Sequence, residues 1–437
     1  MTTLLEGSTP DKITMEPVKG LKGELEVPGD KSISHRAVIL GSIADGITEA
    51  DCFLWSEDNI MTVEAFKSLG IKIDKKNSTV IIEGKGLYGL EEPNDILYTG
   101  NSGTATRLLS GLLAGQSFFS VISGDESLRK RPMSRVVNPL SLMGARVYGR
   151  DGGNFAPLAI IGSDLKAVEY SSPISSAQIK SAVLLAGLYA EGETSFIEPY
   201  KSRDHTERML SAFGADIAVN NKKVNVKGRR QLKGCKVSIP GDISSAAFFI
   251  VAALITPESE LLIKRIGVNP TRTGFIDLLL KMGGNIEILN KSEKSTEPVA
   301  DILVRSSRLH GIDIKEYDVP RAIDEFPVLC IAAAAADGRT VIRGASELRV
   351  KESDRISNIA EGLRSIGARV EELPDGMVID GGHGLSGAVV KSYGDHRAAM
   401  SFIVAGMVAS GFTEILGTGC IDTSFPDFMD YLKRVII

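Results

Sequence analysis

Cysteine is scarce in this 437-residue chain: Cys52, Cys235, Cys330 and Cys420 stand far apart. There is no Cys-x-x-Cys and no His at ligand spacing, which argues against a disulfide framework and against a structural metal site. Long apolar runs are missing too, none approaching the ~18–20 residues of a membrane span. The opening Met1-Thr-Thr-Leu-Leu-Glu-Gly-Ser-Thr-Pro10 has neither the basic stretch nor the apolar core of a signal peptide, so the expected location is cytoplasmic. Nor is there an excess of basic charge. Fifty Lys and Arg face 55 Asp and Glu, and a net charge of −5 argues against a non-specific binder of nucleic acid or membrane surface. With 24% charged and 43% apolar residues the composition is that of a globular protein rather than a disordered one. At ~100–200 residues per domain the length predicts two to four domains or a large pair. What is abundant is glycine, whose 45 residues are about a tenth of the chain against a usual ~7%.

Periodicity accounts for the glycine. An Ala-rich helix ending in a small residue and Gly, then a β-type run, recurs at Gly46, Gly115, Gly192, Gly338 and Gly411, with Pro257 in place of Gly in a sixth copy. The spacings are 69, 77, 65, 81 and 73, close to the 73 obtained by dividing the chain by six. A second pattern, a helix closing on Gly before a strand, recurs at Gly70, Gly144, Gly214, Gly283 and Gly367, and Phe428-Met-Asp-Tyr-Leu-Lys reads as a truncated sixth copy. A third, strand-turn-Leu-x-Gly, ends at Gly89, Gly234, Gly311 and Gly387. Glycine ends a helix with φ > 0 at no steric cost, which gives each repeat a reason to keep it. Units of ~70 residues with helix, strand, helix and two strands are α/β modules rather than solenoid repeats.

The repeat disposes of two false leads. Gly84-Lys-Gly86-Leu-Tyr-Gly89 and Gly382-His-Gly384-Leu-Ser-Gly387 match a dinucleotide fingerprint, but Pro93 follows the first and a strand the second, so neither opens a helix onto a pyrophosphate. NAD is rejected. Val27-Pro-Gly-Asp30 recurs as Ile239-Pro-Gly-Asp242. These are read as two crossings, giving one lobe of three units over 28–240 and a second built from 1–27 plus 241–437.

Polar residues gather where each unit opens a helix: Gly29 to Arg36, Gly100 to Arg107, Ser175 to Lys180, Gly241 to Ser245, Ile323 to Pro327 and Gly394 to Arg397. Free N–H groups and the helix dipole make such ends anion sites. Four also carry Lys or Arg, and further basic residues lie at Arg129 to Arg131, Arg203, Arg272, and Lys351 to Arg355. Cations at helix starts are disfavoured by the dipole, so a ligand with several anionic groups is the economical explanation. For any single Lys or Arg, solvated surface is the ordinary reading; recurrence across repeats weakens it. Asp324 reads first as an N-cap, although a carboxylate ringed by cations and substrate can be a general base. Glu352, between Lys351 and Arg355, reads equally as a local ion-pair partner. His35, His205 and His396 are by default packed or capping residues.

These segments resemble the 5-enolpyruvylshikimate-3-phosphate synthase family over essentially the whole chain. The resemblance rests on Gly29-Asp-Lys-Ser-Ile-Ser-His-Arg36, Gly100-Asn-Ser-Gly-Thr-Ala-Thr-Arg107, Lys130-Arg-Pro-Met133, Ser176-Ala-Gln-Ile-Lys180, Arg203-Asp-His-Thr-Glu207, Asn269-Pro-Thr-Arg272, Arg349-Val-Lys-Glu-Ser-Asp-Arg355 and Gly394-Asp-His-Arg397, in versions similar to the family's second class. It implies an α/β fold of two lobes, each of three βαβαββ units (an inside-out α/β barrel), with an active site in the cleft and closure on substrate binding. The implied reaction moves the enolpyruvyl group of phosphoenolpyruvate to the 5-hydroxyl of shikimate 3-phosphate and releases phosphate, without metal or other cofactor, in a monomer. Carried over residue by residue, shikimate 3-phosphate would meet Lys31, Ser32, Arg36, Ser176, Ala177, Gln178, Arg203, Asp324 and Lys351. Phosphoenolpyruvate would meet Lys31, Gly103, Arg131, Gln178, Arg355 and Arg397, with glyphosate as a competitor. Asp324 would take the hydroxyl proton, Glu352 would handle protons at the methylene carbon, and Lys31 and His396 complete the implied catalytic set.

One departure stands out: many relatives carry Lys before the Thr-Phe-Pro-Asp run, where this chain has Asp422-Thr-Ser-Phe-Pro-Asp427. Two rivals remain. One is the UDP-N-acetylglucosamine enolpyruvyl transferases, which normally carry a loop Cys and an Asn after the N-terminal Lys, where this chain has Ser32-Ile-Ser-His-Arg36. The other is a non-catalytic phosphometabolite sensor on the same scaffold, which would need the cations but neither Asp324 nor Glu352.

Overall fold

The computed structural model describes residues 9–437, so Met1–Ser8, most of the opening stretch read above, lie outside it. Contacts divide the chain into two compact units, Gly29–Ile239 and Met1–Pro28 with Pro240–Ile437. The described residues form six sheets, five of four strands and one of three.

Within Gly29–Ile239 the sheets share one plan. Asp45–Asp51 runs antiparallel to Thr79–Lys85, which runs antiparallel to Lys72–Lys76, and a short edge strand lies parallel to the first. Phe119–Ser123, Phe155–Ile161 and Arg146–Gly149 repeat the plan with edge strand Leu97–Tyr98. So do Glu193–Ile197, Lys223–Lys227 and Ile217–Asn220 with edge strand Glu169–Ser171. The other unit has Glu260–Gly267 and Gly338–Ile342 at the equivalent places, and a three-stranded sheet in which Lys12–Met15 pairs with Thr413–Leu416.

The edge strands are exchanged at the crossings. Lys22–Leu25, just before the first crossing, pairs with Glu260–Gly267, whereas Lys236–Ser238, just before the second, pairs with Asp45–Asp51. Each unit is thereby closed by a strand distant in sequence from the strand it pairs.

The helices Lys31–Ile43, Gly103–Ala114 and Ala177–Gly187 are buried over almost their whole length, as are Ile243–Ile255, Phe326–Ala335 and His396–Gly406 in the other unit. Beyond their opening turns, which carry Lys31, Arg36, Arg107, Lys180 and Arg397, their sequences are apolar or small all round, as internal helices require. The second-pattern glycines all end a helix in the left-handed region, at φ 83° for Gly70 and Gly214, 90° for Gly144, 88° for Gly283 and 87° for Gly367. At the sixth first-pattern marker, where Pro257 replaces Gly, the next residue Glu258 adopts φ 55°. Gly115 departs from its repeat partners, with φ −94°, because its helix ends without a left-handed turn.

Other glycines buy proximity. Gly84, Gly228 and Gly381, at matching positions of three repeats, would place a Cβ 2.3, 1.9 and 2.1 Å from the carbonyl oxygens of Ala44, Ala190 and Ala336. Gly111 lies where Gly103–Ala114 crosses Ala177–Gly187, and a Cβ there would sit 2.1 Å from Ala182 O. Gly→Ala in a helix interior ordinarily adds up to ~1 kcal/mol of stability. Here the overlap reverses the sign: Gly111→Ala is expected to lose about 2 kcal/mol or more, and a urea midpoint at or above that of the parent would contradict this packing.

Candidate active site

The three internal helices of Gly29–Ile239 each start from their own cap: Asp30 accepts from Ile33 N, Ser102 from Ala105 N and Ser176 from Ile179 N. The remaining first-turn N–H groups and the positive end of the dipole are left for an anion. At Gly103 a methyl group would lie 3.2 Å from Nη1 of both Arg107 and Arg131. Glycine therefore lets two buried guanidiniums close over one helix start. They are held from the side, Arg131 Nη2 donating to Asn101 Oδ1 and Arg107 Nη1 to Gln178 Oε1, while Gln178 Nε2 donates to Thr104 Oγ1 at 2.9 Å. Two oriented forks above a helix N-terminus match a carboxylate or phosphate.

On the neighbouring helix Lys31 Nζ pairs with Asp58 of helix Glu57–Ser68. Arg36 is buried and donates through Nε to Thr206 Oγ1 (2.6 Å), Nη1 to Ser32 O (2.9 Å) and Nη2 to Ser181 Oγ (2.8 Å). Ser32, Ala177 and Arg203 are half-buried, and Arg203 lies just before helix His205–Ala212. His35 is internal, its Nδ1 2.7 Å from Thr62 Oγ1. Burial first, then Lys31 and Arg36, hold its pKa well below the usual value, so it is a neutral packing residue.

The other unit supplies a second charged group. Asp324 lies before helix Phe326–Ala335, with Lys351 Nζ 4.0 Å, Arg355 Nη1 3.8 Å and Arg397 Nη2 3.8 Å from its carboxylate oxygens. The N-cap position belongs to Glu325, which makes no capping bond, so the N-cap reading of Asp324 is corrected. The chain turns one residue later, which points Asp324 at cations rather than at its own helix. Arg397 Nη1 also donates to Asp324 O at 2.8 Å. Arg355 is fully buried, with Nε 2.7 Å from Asp395 Oδ2 and Nη2 2.6 Å from Glu352 Oε2. Burial alone would lower its pKa, but Asp395, Glu352 and Asp324 raise it above the ordinary guanidinium value. Burial would likewise raise Asp395, yet Arg355 outweighs it and the carboxyl titrates below its usual value. Asp395 also caps helix His396–Gly406, accepting from Arg397 N and Ala398 N. His396 is buried, its Nδ1 3.2 Å from Thr423 Oγ1.

Behind Asp324 lies a polar layer in which Glu325 accepts from Ser244 Oγ and from Arg272 Nη2 (3.3 Å). Arg272, one of the basic residues that the sequence places in short polar segments, is 3% exposed. Asp58, Arg107, Glu325 and Asp395 had no individual role in the sequence reading. Asp58 is an acidic residue in the first turn of its helix and belongs to none of the strings singled out above, and Asp395 was visible only as part of a Gly-Asp-His-Arg string. In place of the Lys that many relatives carry before Thr-Phe-Pro-Asp stands Thr423, whose Oγ1 donates to Cys420 O at 2.7 Å and lies 3.2 Å from His396 Nδ1, while Asp422 before it accepts through Oδ2 from Thr9 N at 2.9 Å.

A family profile described as EPSP synthase (3-phosphoshikimate 1-carboxyvinyltransferase) matches residues 15–432. The chain belongs to the EPSP synthase family. It is 59% identical over 424 residues to a 3-phosphoshikimate 1-carboxyvinyltransferase of Pelobacter propionicus, covering 97% of this chain and 98% of the relative. It is also 59% identical, over 422 residues, to one from Geobacter metallireducens, with the same coverage. A solved EPSP synthase from Acinetobacter baumannii superposes with a TM-score of 0.86 at 46% identity, covering 97% of this chain and 98% of that one.

For an EPSP synthase fold, the Arg355–Asp395 pair has a consequence for stability. A carboxyl with a depressed folded pKa stabilises fully above its unfolded value of ~3.9, and that share disappears as pH falls through the folded value. Asp395→Asn keeps a capping side chain but leaves Arg355 short of charge, at an expected cost of about 3 kcal/mol at pH 7. The gap in unfolding midpoint between parent and variant should shrink as pH is lowered below ~4; a gap independent of pH would contradict the assignment.

Proposed function

We propose that this chain transfers the enolpyruvyl group of phosphoenolpyruvate to the 5-hydroxyl of shikimate 3-phosphate, releasing phosphate, and that the two charged groups described above serve this one reaction. The observation that carries the reading is Asp324, a carboxylate at a buried helix start with three cations at 3.8–4.0 Å. A sensor needs the cations alone. A carboxylate among them weakens anion binding and makes sense where a proton must be removed from a neutral hydroxyl.

Both substrates are anionic and repel, so cations must bring them to reacting distance. We assign phosphoenolpyruvate to Lys31, Gly103, Arg131, Gln178, Arg355 and Arg397, and shikimate 3-phosphate to Lys31, Ser32, Arg36, Ser176, Ala177, Gln178, Arg203, Asp324 and Lys351. Protonation of the methylene carbon leaves positive charge at the adjacent carbon, which the 5-hydroxyl oxygen attacks as Asp324 takes its proton. The tetrahedral adduct then expels phosphate and returns a methyl proton, restoring the double bond. Glu352 is assigned the carbon-bound proton in both directions, Lys31 the stabilisation of the phosphate leaving group, and His396, beside Asp395, the tuning of the Arg355 pair. Opposite proton transfers call for two carboxyl groups in different surroundings. Asp324 faces three cations; Glu352 is paired with Arg355. Among the described residues no helix is long and apolar enough to cross a membrane, and we place the enzyme in the cytoplasm as a monomer.

Phosphate release should require both substrates together, and Asp324→Ala should abolish it (by ~10³-fold or more) with shikimate 3-phosphate binding by calorimetry retained. Turnover with UDP-N-acetylglucosamine, or unchanged release in Asp324→Ala, would overturn the reading. Glyphosate, also anionic at both ends, is expected to compete for the Gly103 cradle. A methyl at 103 displaces two guanidiniums by a few tenths of an ångström, so Gly103→Ala should raise the glyphosate inhibition constant more than the KM for phosphoenolpyruvate; parallel changes would contradict this placement.

A further inference from the structure

Lys180 belongs to a motif, Ser176 to Lys180, of which Ser176, Ala177 and Gln178 meet substrate in the reading above, yet it points the other way. It is 1% exposed, with Nζ 2.9 Å from Glu198 Oε1 and 2.7 Å from Glu207 Oε1. Three ionisable groups inside a protein are costly unless their mutual attraction and hydrogen bonds offset the lost hydration. With two carboxylates and one ammonium the cluster is one negative charge in excess, and burial pushes the Glu207 carboxyl above its usual pKa.

The arrangement it serves is visible in the hydrogen bonds. Glu198 Oε1 accepts from Ser202 N at 3.0 Å and its Oε2 from Ser202 Oγ at 2.5 Å, while Lys180 Nζ donates to Ser202 O at 3.4 Å. Ser202 is thus gripped by its amide, its hydroxyl and its carbonyl, and the next residue is Arg203. One step along both partner segments, Ser181 Oγ lies 2.6 Å from Thr206 Oγ1, and these two hydroxyls receive Arg36. Arg36 and Arg203, both assigned to shikimate 3-phosphate, therefore take their bearings from the same pair of segments.

We infer that Lys180 and Glu198 are positioning residues for shikimate 3-phosphate: by clamping Ser202 they aim Arg203 at the substrate, and they touch no reactant themselves. This rests on the assignment of Arg203 made above. A clamp acting through Arg203 affects one substrate only, and it has nothing left to act on once Arg203 is gone.

The experiment is steady-state kinetics on the full chain with Arg203→Ala, Glu198→Gln and the double variant, varying each substrate. Glu198→Gln keeps the shape but cannot serve Lys180 and both Ser202 donors at once. It should raise the KM for shikimate 3-phosphate about tenfold, as expected for a hydrogen bond to a charged group, with kcat and the KM for phosphoenolpyruvate within about twofold. In the Arg203→Ala background the same change should add less than about twofold. Ser202→Ala leaves every charge in place and so tests the clamp even where the charge-altered chain fails to fold; its expected rise is about threefold, again in the KM for shikimate 3-phosphate alone. Equal losses for both substrates, full additivity with Arg203→Ala, or an unchanged KM in Ser202→Ala and Glu198→Gln would overturn the inference while leaving the Arg203 assignment standing. An Arg203→Ala variant with parental KM for shikimate 3-phosphate would overturn both.

Discussion

One buried guanidinium organises the charged group of the larger unit. Arg355 contacts Asp395, Glu352 and, at longer range, Asp324, which come from three separate segments. Without it, three carboxylates, one buried and two partly buried, would face one another where repulsion is screened less than in water. With it, Asp395 stays ionised, keeps its helix capped, and leaves Arg397 on the first turn of that helix. Removing one partner of such a buried set costs several kcal/mol, so the arrangement is all-or-none.

The two groups solve the placement of cations differently. Around Gly103 the guanidiniums are steered by neutral amides, Asn101 and Gln178, which direct them without neutralising them. That suits a site meant to hold an anion directly. Around Asp324 the cations are shared among carboxylates, and Asp324 stands farther from Arg355 than Glu352 and Asp395 do. Distance separates the two carboxylates proposed to handle protons: Glu352 sits at 2.6 Å from Arg355, Asp324 at 3.8 Å.

Much of this was legible in the chain itself because glycine carries local information. The helix-ending glycines from Gly70 to Gly367 mark a repeat that short-range sterics alone explain, and all of them adopt the left-handed turn expected. Helix starts and their basic residues were legible for the same local reason. Asp324 was not. Whether a carboxylate caps its helix or faces away depends on a single residue of phase, and Glu325 took the position instead. Arg272 reads as a surface cation until Glu325, some fifty residues on, is brought against it. Asp58 likewise needs Lys31 from another segment. The exchange of edge strands could not be read at all, since every edge strand has a similar pattern and only the tertiary pairing tells which sheet it completes. The family resemblance was carried by contiguous strings, and it located residues whose partners those strings do not contain.

The exchanged edge strands bear on how the chain comes off the ribosome. Gly29–Ile239 is continuous, and its last strand, Lys236–Ser238, seals its first sheet, so this half holds all its own pieces once residue 239 has been made. The other half does not. Lys22–Leu25 and Lys12–Met15 emerge first but wait for Glu260–Gly267 and Thr413–Leu416, more than two hundred residues later. Closing so long a loop is slow, and the waiting strands offer unpaired backbone to any passing neighbour. Vectorial synthesis thus imposes an order of assembly, middle before ends, and leaves the earliest-born strands as the last to find shelter.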